Sequence, residues 1–291
     1  MMVEKYLCPS SVEEALAFLQ SYQGEARVIA GGTDLIPELK KGTRQVKYLV
    51  DISGIESLKQ IEQNGGLIKI GAGVTHTQVA SSKLIQEKAR ALAQAASSVG
   101  CPAIRNQGTV VGNVVNAQPA ADTAVALFAL EAKAEIVSKT GTRLVPLEEL
   151  YGGVGISKVD SSAEILTALY FKPLADNQSS AFARLARRKA LTLPMLNVAV
   201  VITLTNNHFG ETRIVVAPVA PMPFRSRKAE AALQGASIGR DSINKAAELA
   251  AAEAQPRDSR LRGSAKYRKE MVKVLVSRAV EEALRQIKRE E

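Results

Sequence analysis

Apolar and polar positions along residues 1–175 change repeatedly between helical and strand-like spacing, which predicts a mixed fold. The first helix is predicted at "SVEEALAFL", where four apolar residues share one helix face: Val12, Ala15, Leu16 and Leu19. Ser11 and Glu14 have the spacing of a capping box at its start. Further helices are predicted at "LIPELKKG", over a long alanine-rich run from about Ser82 to Val99, and near "TAVALFAL".

Strands are predicted at short apolar runs between these helices: "ARVIA", "KYLVDIS", "GLIKIGAG", "AEIVS", "TRLVPL" and "EILTALYF". After the polar segment "LADNQSS" the runs become longer, at "AFARLARR", "LNVAVVITLT" and "ETRIVVAPVAP", which predicts a meander of antiparallel strands. Three helices finish the chain, the last from about Ala265 to Lys288. We therefore predict one domain over residues 1–175 and a second over residues 176–291.

The composition is that of a globular protein with few residues suited to a metal site or to catalysis. The chain has 291 residues, 46% hydrophobic and 23% charged, and no apolar run long enough to span a membrane. Its start, "MMVEKYLCPS", lacks the apolar region of a secretory signal, so we expect a cytoplasmic protein. Two cysteines exclude an all-cysteine iron–sulfur or zinc site, and two histidines leave a multi-histidine metal site almost without ligands. We predict no catalytic residue and no metal ligand in this chain.

The net charge of +9 leaves a nucleic-acid-binding function open as an alternative. Residues 255–291 contain 11 Lys or Arg and 6 Asp or Glu, so about +5 of the net charge lies in the last helix and the segment before it. That stretch has one aromatic residue, Tyr267, and the whole chain has no tryptophan. Because proteins recognise bases largely by stacking them on aromatic side chains, a solvated or subunit-facing basic helix is favoured over an RNA-binding one.

The segment "VIAGGTDL", residues 28–35, is the first of two glycine-rich turns. A β-rich run meets Gly31 and Gly32, and Thr33 and Asp34 open a helix. Glycines let a backbone approach a ligand closely, and the free amides at the start of a helix attract an anion such as a pyrophosphate. The segment also fits a tight turn in which Thr33 or Asp34 caps the helix. It is neither a G-x-G-x-x-G nor a P-loop sequence.

The segment "NQGTVVGNVVNAQPAADT", residues 106–123, is the second turn. Its small residues would let the main chain lie against a ligand: Gly108, Gly112, Ala117, Ala120 and Ala121. Its polar residues would add hydrogen bonds: Thr109, Asn113, Asn116 and Asp122. The alternative is a crossing at which a helix packs closely on a sheet. Two such turns in one domain, both short of strong catalytic groups, indicate a long dinucleotide ligand held mainly by the backbone.

The two turns together resemble the FAD-binding medium subunit of the molybdenum hydroxylases, which include xanthine dehydrogenase, nicotinate dehydrogenase and aerobic carbon monoxide dehydrogenase. The resemblance rests on "IAGGTDLIP" followed by "VGCPAIRNQGTVVGNVVNAQPAADT", and it covers essentially the whole chain. It continues through "IGAGVTHTQV", "EILTALYF", "FARLARR", "APVAPMPFRS" and "KYRKEMVKVLVSRAV". The family reads T-I-G-G-N at the second turn, and Val111 replaces the first of those glycines here.

The resemblance implies an α+β fold. A FAD-binding domain of the p-cresol methylhydroxylase (vanillyl-alcohol oxidase) type, in two subdomains of about residues 1–56 and 57–175, would precede a small domain with a three-stranded antiparallel sheet and helices. By the resemblance, the first turn wraps the FAD pyrophosphate with Ile29, Ala30, Gly31, Gly32, Thr33, Asp34, Leu35 and Ile36. The rest of the cofactor would meet Thr109, Gly112, Asn113, Ala117 and Asp122, with Leu166 near the flavin ring and Arg184 at a basic position of the family. We interpret His76 as a structural or capping residue, and an approach to the cofactor stays open.

The implied function is electron transfer through bound FAD in an oxidoreductase. A large partner subunit would hold the molybdenum cofactor and oxidise the substrate, and a small partner subunit would carry [2Fe-2S] clusters that pass electrons to the FAD. NAD⁺ or another acceptor would then take them. A purine or other N-heterocycle is the expected substrate. The medium subunit of an aerobic carbon monoxide dehydrogenase and a free-standing flavin oxidoreductase are the alternatives. We expect a dimer of heterotrimers that has no membrane span and binds no nucleic acid.

Overall fold

The computed structural model describes the backbone of residues 3–290 and the side chains of residues 3–287. The chain divides into two compact units, each assembled from three stretches of sequence. The N-terminal unit comprises the residues up to 79, 102–117 and 132–172. The C-terminal unit comprises residues 80–101, 118–131 and those from 173 onward. The linear domain boundary near residue 176 stays a prediction.

Short strands and helices alternate in the first part of the chain, and longer ones follow. The strands are β1 (Lys5–Leu7), β2 (Ala26–Ile29), β3 (Tyr48–Asp51), β4 (Ile61–Asn64), β5 (Leu67–Gly71), β6 (Lys133–Ser138), β7 (Gly141–Pro146), β8 (Tyr151–Gly153), β9 (Ile156–Ser157), β10 (Glu164–Phe171), β11 (Gln178–Leu185), β12 (Leu196–Thr205), β13 (His208–Ala217) and β14 (Phe224–Arg225). The helices are α1 (Val12–Ser21), α2 (Leu35–Lys41), α3 (His76–Ser81), α4 (Lys83–Lys88), α5 (Arg90–Ser98), α6 (Pro102–Gln107), α7 (Val110–Val115), α8 (Asp122–Ala129), α9 (Arg227–Leu233), α10 (Arg240–Glu253) and α11 (Ala265–Glu290). Within the described residues, no helix combines the length and the apolar character needed to cross a membrane.

The N-terminal unit contains two larger sheets and a two-stranded sheet formed by β8 and β9. Strands β1, β3 and β2, in that order, form a parallel sheet in which Leu7 and Val28 both pair with Val50. Strands β4, β5, β10, β6 and β7, in that order, form an antiparallel sheet. Strand β10 lies at its centre and is buried from residue 165 to residue 169, which explains its almost continuous apolar sequence. The two sheets with their short helices confirm the predicted α+β class.

An antiparallel sheet packed against helices builds the C-terminal unit. Its strand order is β11-β12-β13-β14, and β12 and β13 pair from Asn197 with Ala217 to Thr205 with His208. Apolar side chains of β12 and β13 share a buried core with those of α9, α10 and α11. Phe209 is the largest fully buried side chain in it. The small antiparallel-sheet domain is therefore confirmed, with the two-residue β14 extending the three long strands.

The predicted alanine-rich helix from Ser82 to Val99 is wrong as a single helix, because it breaks at Ala89. This residue has φ −159° and ψ 49°, between α4 and α5. The break has a tertiary cause. The carbonyl of Lys88 accepts from the backbone N–H of Leu174 at 3.0 Å, and the N–H of Leu92 donates to Ala89 instead. No glycine or proline marks the break, so the sequence carries no local sign of it.

The sequence also misses several elements of two to four residues. Strands β1, β4, β8, β9 and β14 are too short to give a periodic signal, and β4 reads "IEQN". The capping box at α1 is only half formed. The Ser11 hydroxyl accepts from the N–H of Glu14 at 3.1 Å, but the Glu14 carboxylate accepts from the N–H and hydroxyl of Ser10.

Replacing Arg268 with lysine is expected to lower the free energy of unfolding by about 2 kcal/mol. The Arg268 side chain is 3% exposed, and its guanidinium donates to the carbonyls of Pro218, of Met195 at 3.1 Å and of Arg257 at 3.0 Å. One ammonium nitrogen cannot reach three carbonyls that a planar guanidinium spans. Urea unfolding followed by circular dichroism measures the loss. The exposed Lys269→Arg is the control, and an equal midpoint for R268K and wild type would contradict this role.

Candidate cofactor site

The first glycine turn connects the end of β2 to the start of α2. Gly32 has φ 66°, a backbone conformation that favours glycine. Asp34 precedes the first residue of α2 but makes no capping hydrogen bond through its side chain. The sequence analysis left open a ligand-binding turn and a tight turn in which Thr33 or Asp34 caps the helix. Capping by the Asp34 carboxylate is not observed.

The backbone N–H groups of this turn donate to no acceptor among the residues that the structure describes. Across the described residues, none of the N–H groups of Gly31, Gly32, Thr33 and Asp34 donates to a carbonyl or side-chain oxygen. Four successive free amides next to a glycine with positive φ resemble the concave backbone arrangements that bind anions. The turn can therefore receive an acceptor-rich anionic group.

The second glycine turn is more helical than its small residues indicate. Helix α6 ends at Gln107, Gly108 follows, and α7 begins at Val110. The Thr109 hydroxyl caps α7 by accepting from the N–H of Gly112 at 3.0 Å. Val111, which replaces a glycine of the family pattern, lies inside α7 and is buried, so this position needs no glycine-only backbone conformation.

The two glycine turns touch each other through their backbones. A Cβ built on Gly31 would lie 2.0 Å from the carbonyl oxygen of Gln107 and 2.9 Å from Cα of Gly108. A Cβ built on Gly108 would in turn lie 3.2 Å from the Thr33 hydroxyl oxygen. Any side chain at residue 31 would force the two segments apart, since real Cβ atoms do not approach backbone so closely. Gly31 therefore brings the first turn into contact with the beginning of the second turn within the N-terminal unit.

A third segment, residues 74–76, runs beside the second turn. Thr75 pairs with Thr109 as an isolated antiparallel bridge. The N–H of Val110 donates to the Val74 carbonyl at 3.1 Å, and the N–H of His76 donates to the Gly108 carbonyl at 3.0 Å. The bond from His76 to the Gly108 carbonyl ties this segment to the second turn. No local pattern predicts this pairing, because it joins residues more than thirty positions apart.

Leu166 and Ala117 also belong to the N-terminal unit. Leu166 is 3% exposed in β10, opposite Ile136 and beside an irregularity in the pairing of β10 with β6. Helix α7 packs against the same strand β10. Ala117, just after α7, has φ 49°, and its carbonyl accepts from the N–H of Gly155 at 3.0 Å. The positive φ of Ala117 is a strained position that the sequence did not indicate.

Asp122 and Arg184 lie in the C-terminal unit and form an ion pair with each other. The Asp122 carboxylate is 5% exposed and accepts from Asn197 Nδ2 at 2.7 Å, from Arg184 Nε at 3.1 Å and from the Ser98 hydroxyl at 3.2 Å. Burial raises the pKa of Asp122, and the three donors act against that rise. Asn197 and Ser98 were missed by the sequence analysis. An asparagine in the apolar run "LNVAVVITL" was the available signal.

Metal ligands do not cluster in the described part of the chain. No group of three or more His, Cys, Asp or Glu side chains there could hold a metal ion. Cys8 is exposed and Cys101 is partly buried, and both are free thiols.

Comparison with known proteins gives two family matches and close structural relatives. Residues 2–171 match the FAD binding domain in molybdopterin dehydrogenase, and residues 181–283 match the CO dehydrogenase flavoprotein C-terminal domain. The xanthine dehydrogenase FAD-binding subunit of Escherichia coli O157:H7 is 31% identical over 89% of each chain. The carbon monoxide dehydrogenase medium chain of Hydrogenophaga pseudoflava is 29% identical over 96% of each chain.

Solved structures agree with these matches. A carbon monoxide dehydrogenase of Hydrogenophaga pseudoflava, which lacks the Mo-pyranopterin moiety of its cofactor, superposes with a TM-score of 0.91 at 30% identity and covers 98% of both chains. Quinoline 2-oxidoreductase of Pseudomonas putida 86 superposes with a TM-score of 0.91 at 26% identity and covers 99% of this chain and 98% of its own.

The fold and both matches define a class, the flavoprotein components of molybdopterin-dependent oxidoreductases. Within that class, the chain belongs to the family of FAD-binding medium subunits of the molybdenum hydroxylases, whose cofactor is FAD. The resemblance stated from the two glycine turns is thereby confirmed, as are the oxidoreductase class and the cofactor.

Proposed function

We propose that this chain is the electron-transfer subunit of a multi-subunit molybdenum hydroxylase of the xanthine dehydrogenase type. A large partner subunit would hold the molybdenum cofactor, and a small partner subunit would carry the [2Fe-2S] clusters. The observation that carries the proposal is the backbone contact of Gly31 with Gln107 and Gly108, which joins the free amides of the first turn to the small residues of the second. Family membership supports the same assignment.

The proposed cofactor site combines the first glycine turn with residues of the second turn and with Leu166 and Arg184. The free amides of Gly31 to Asp34 and the Thr33 hydroxyl would bind the pyrophosphate, because they are donors without an acceptor in the described chain. The remaining members of the proposed set are Ile29, Ala30, Leu35, Ile36, Thr109, Gly112, Asn113, Ala117, Leu166, Asp122 and Arg184. Asp122 and Arg184 form an ion pair with each other, so any role that they have in FAD binding is combined with a structural role.

The chain's own residues would bind, orient and shield the cofactor. Bound FAD would take electrons from the [2Fe-2S] clusters and pass them to NAD⁺ or another acceptor. The second turn offers no acid, base or nucleophile apart from Asp122, whose carboxylate is already paired. A protein that supplies position and electrostatics to a redox cofactor needs no such group.

We propose a purine or another N-heterocycle as the substrate of the complex. Relatives whose names contain xanthine, nicotine and nicotinate support this choice. The CO dehydrogenase match of residues 181–283 supports the alternative of a carbon monoxide dehydrogenase medium subunit. A cytoplasmic dimer of heterotrimers is proposed from the family alone.

The purified chain is expected to bind one FAD, visible in its absorption spectrum and identified by mass after release. Thr33→Val should weaken FAD binding about tenfold, because it removes one hydrogen-bond donor from the turn. Fluorescence titration with FAD measures the affinity. Thr43→Val is the control, since that exposed hydroxyl donates to the Glu38 carbonyl near the end of α2.

A folded chain that is colourless and takes up no FAD would contradict the proposal. The RNA-binding or anionic-surface alternative would then move forward, with a steep loss of binding with salt as its signature. A FAD-loaded chain that oxidises an organic substrate without partner subunits would instead support a free-standing flavin oxidoreductase. Anaerobic mixing of the reduced protein with NAD⁺, and separately with a one-electron acceptor, distinguishes the two kinds of acceptor.

A further inference from the structure

Two exposed segments of the C-terminal unit lie side by side, and we call them together the basic surface. They are residues 187–193, between β11 and β12, and residues 257–267, between α10 and α11 and including the first residues of α11. The Arg187 guanidinium donates to the Arg260 carbonyl at 2.7 Å. A Cβ built on Gly263 would lie 3.1 Å from Cε of Met195, just after the first segment. The two segments therefore form one continuous surface.

The basic surface has a net charge of +6. Its one acidic residue is Asp258, whose carboxylate accepts from the N–H of Ala265 at 2.6 Å. Its seven cations are Arg187, Arg188, Lys189, Arg257, Arg260, Arg262 and Lys266. Across the described residues, none of these cations forms an ion pair with a carboxylate. Positive charge without counter-charges in the chain attracts an acidic partner.

Three exposed leucines lie among these charges. Leu191, Leu193 and Leu261 are 59%, 64% and 73% exposed. Leu191 also has φ 51°, a left-handed backbone conformation that glycine or asparagine adopts at lower cost than leucine. Either of those residues would serve the fold better, so an exposed leucine at this strained position indicates contact with a partner.

The composition of the basic surface favours a protein as that partner. Small-molecule sites are concave and bury their apolar side chains, whereas these leucines are exposed. Single-stranded nucleic acid stacks on aromatic side chains, and the surface has one, Tyr267. A second copy of the same surface would bring like charges together. Five of the seven cations are arginines, which are enriched at protein–protein interfaces where lysines are depleted, and this favours a protein over an anionic membrane.

The charge and the position of the basic surface indicate which kind of protein would dock. Permanent subunit interfaces are largely apolar, whereas brief encounters between redox proteins bury little area and are steered by charge. Arg184 belongs to the proposed cofactor set, and its guanidinium donates to the Thr192 carbonyl at 2.6 Å. Thr192 lies between Leu191 and Leu193, so the surface is bonded directly to a residue of that set.

We propose that the basic surface docks an acidic electron-carrier protein, which takes electrons from bound FAD. This inference rests on the electron-transfer function proposed above, and it selects a protein among the acceptors that this function leaves open. Each carrier molecule accepts one electron, so two encounters return the reduced cofactor to its oxidised form while two protons pass to solvent. The arginines pair with carboxylates of the carrier, and the leucines pack against its apolar residues.

Calorimetric titration of the FAD-loaded chain with two acidic one-electron carriers, a plant-type [2Fe-2S] ferredoxin and a flavodoxin, tests the proposal. At least one carrier is expected to bind, with an affinity that falls as salt is raised. The double variant K189E/R260E reverses one exposed charge in each segment and should weaken binding by about tenfold or more. Reduction of bound FAD by reduced ferredoxin, followed anaerobically by stopped flow, should slow in parallel. Reduction by dithionite should not change.

The matched control is the double variant R240E/K245E, which changes the net charge equally. Both residues are exposed in α10 of the same unit. Arg240 follows closely on Ser237, which pairs with His208 at the end of β13 away from the basic surface. This variant should bind the carrier as wild type does.

Leu191→Asn tests the apolar part of the surface. Asparagine tolerates the left-handed backbone conformation, so the urea midpoint should stay the same or rise. Carrier binding should nevertheless fall about fivefold, because an apolar contact is lost. A folded L191N variant with wild-type carrier affinity would overturn the role of this leucine.

The possible results separate this inference from the function on which it rests. If the FAD-loaded chain binds neither carrier, or if K189E/R260E and R240E/K245E weaken binding equally, the docking surface is overturned and the FAD site stands. If single-stranded RNA or vesicles of phosphatidylglycerol bind instead, and K189E/R260E loses that binding, the partner is not a protein. If folded wild type takes up no FAD, the proposed function itself fails.

Discussion

Gly31→Ala is expected to abolish measurable FAD binding, with a loss of affinity of about a hundredfold or more. The added methyl group would lie 2.0 Å from the Gln107 carbonyl oxygen and 2.8 Å from its carbonyl carbon, and these are backbone atoms. Neither atom can rotate away as the end of a side chain would. The two turns must therefore separate, and the hydrogen-bond donors of the first turn move relative to the second turn. Fluorescence titration with FAD measures the effect.

The control for this substitution is Gly54→Ala. Gly54 lies in an exposed turn of the same unit, has no atom within 4 Å of its built Cβ, and does not have positive φ. The extra methyl group there should leave FAD affinity and the urea midpoint unchanged. If G31A binds FAD as tightly as G54A, the contact between the two turns does not position the cofactor, and the observation behind the proposed function would be lost.

The two glycine turns are recognisable from sequence because small residues at functional turns are visible letter by letter. The two turns led to the family and the fold class. Apolar runs separately predicted most strands of more than three residues. Gly31 shows the limit of this approach. The sequence analysis explains a glycine at residue 31 by close approach of the backbone to a ligand. The structure adds a second reason, the contact with Gln107, which lies about 75 residues away along the chain. No local pattern encodes which distant backbone a glycine will meet.

Buried polar partnerships were hardest to predict for the same physical reason. The sequence analysis predicts that Asp122 adds a hydrogen bond to a ligand, and in the structure its carboxylate accepts from Ser98, Arg184 and Asn197. Each donor comes from a different element of the C-terminal unit. Ala89 likewise breaks a helix because the Lys88 carbonyl bonds to Leu174. Such choices are made by tertiary hydrogen bonds that outweigh local propensity.

The net charge of +9 overstates the free positive surface. Arg184, Arg213, Arg225 and Arg268 have their guanidinium groups on carboxylates or carbonyls inside the C-terminal unit. Arg213 and Arg225 share the Glu131 carboxylate, and Arg225 also pairs with the buried Glu230. The net charge counted from the sequence therefore includes arginines that are paired inside the fold. This weakens the argument that the net charge indicates nucleic-acid binding.

Asp122→Ala is expected to lower the free energy of unfolding by about 3–5 kcal/mol, the largest stability effect predicted for the chain. The carboxylate holds three donors, and the Arg184 side chain opposite it is only 13% exposed. Removing the carboxylate leaves a buried guanidinium without its counter-charge and Asn197 Nδ2 without its best acceptor. Asp122→Asn should cost less, because an amide oxygen still accepts from one of the donors.

Urea unfolding followed by circular dichroism gives the free energies, with Asp176→Ala as the matched control in the same unit. The Asp176 side chain is fully exposed in a 3.4 Å ion pair with Lys88, so its removal should not move the midpoint. FAD affinity is measured under conditions in which each variant is folded. A D122A variant with the wild-type midpoint that nevertheless loses FAD would contradict the structural role, because the carboxylate would then serve the cofactor and the ion pair with Arg184 would add little to the fold.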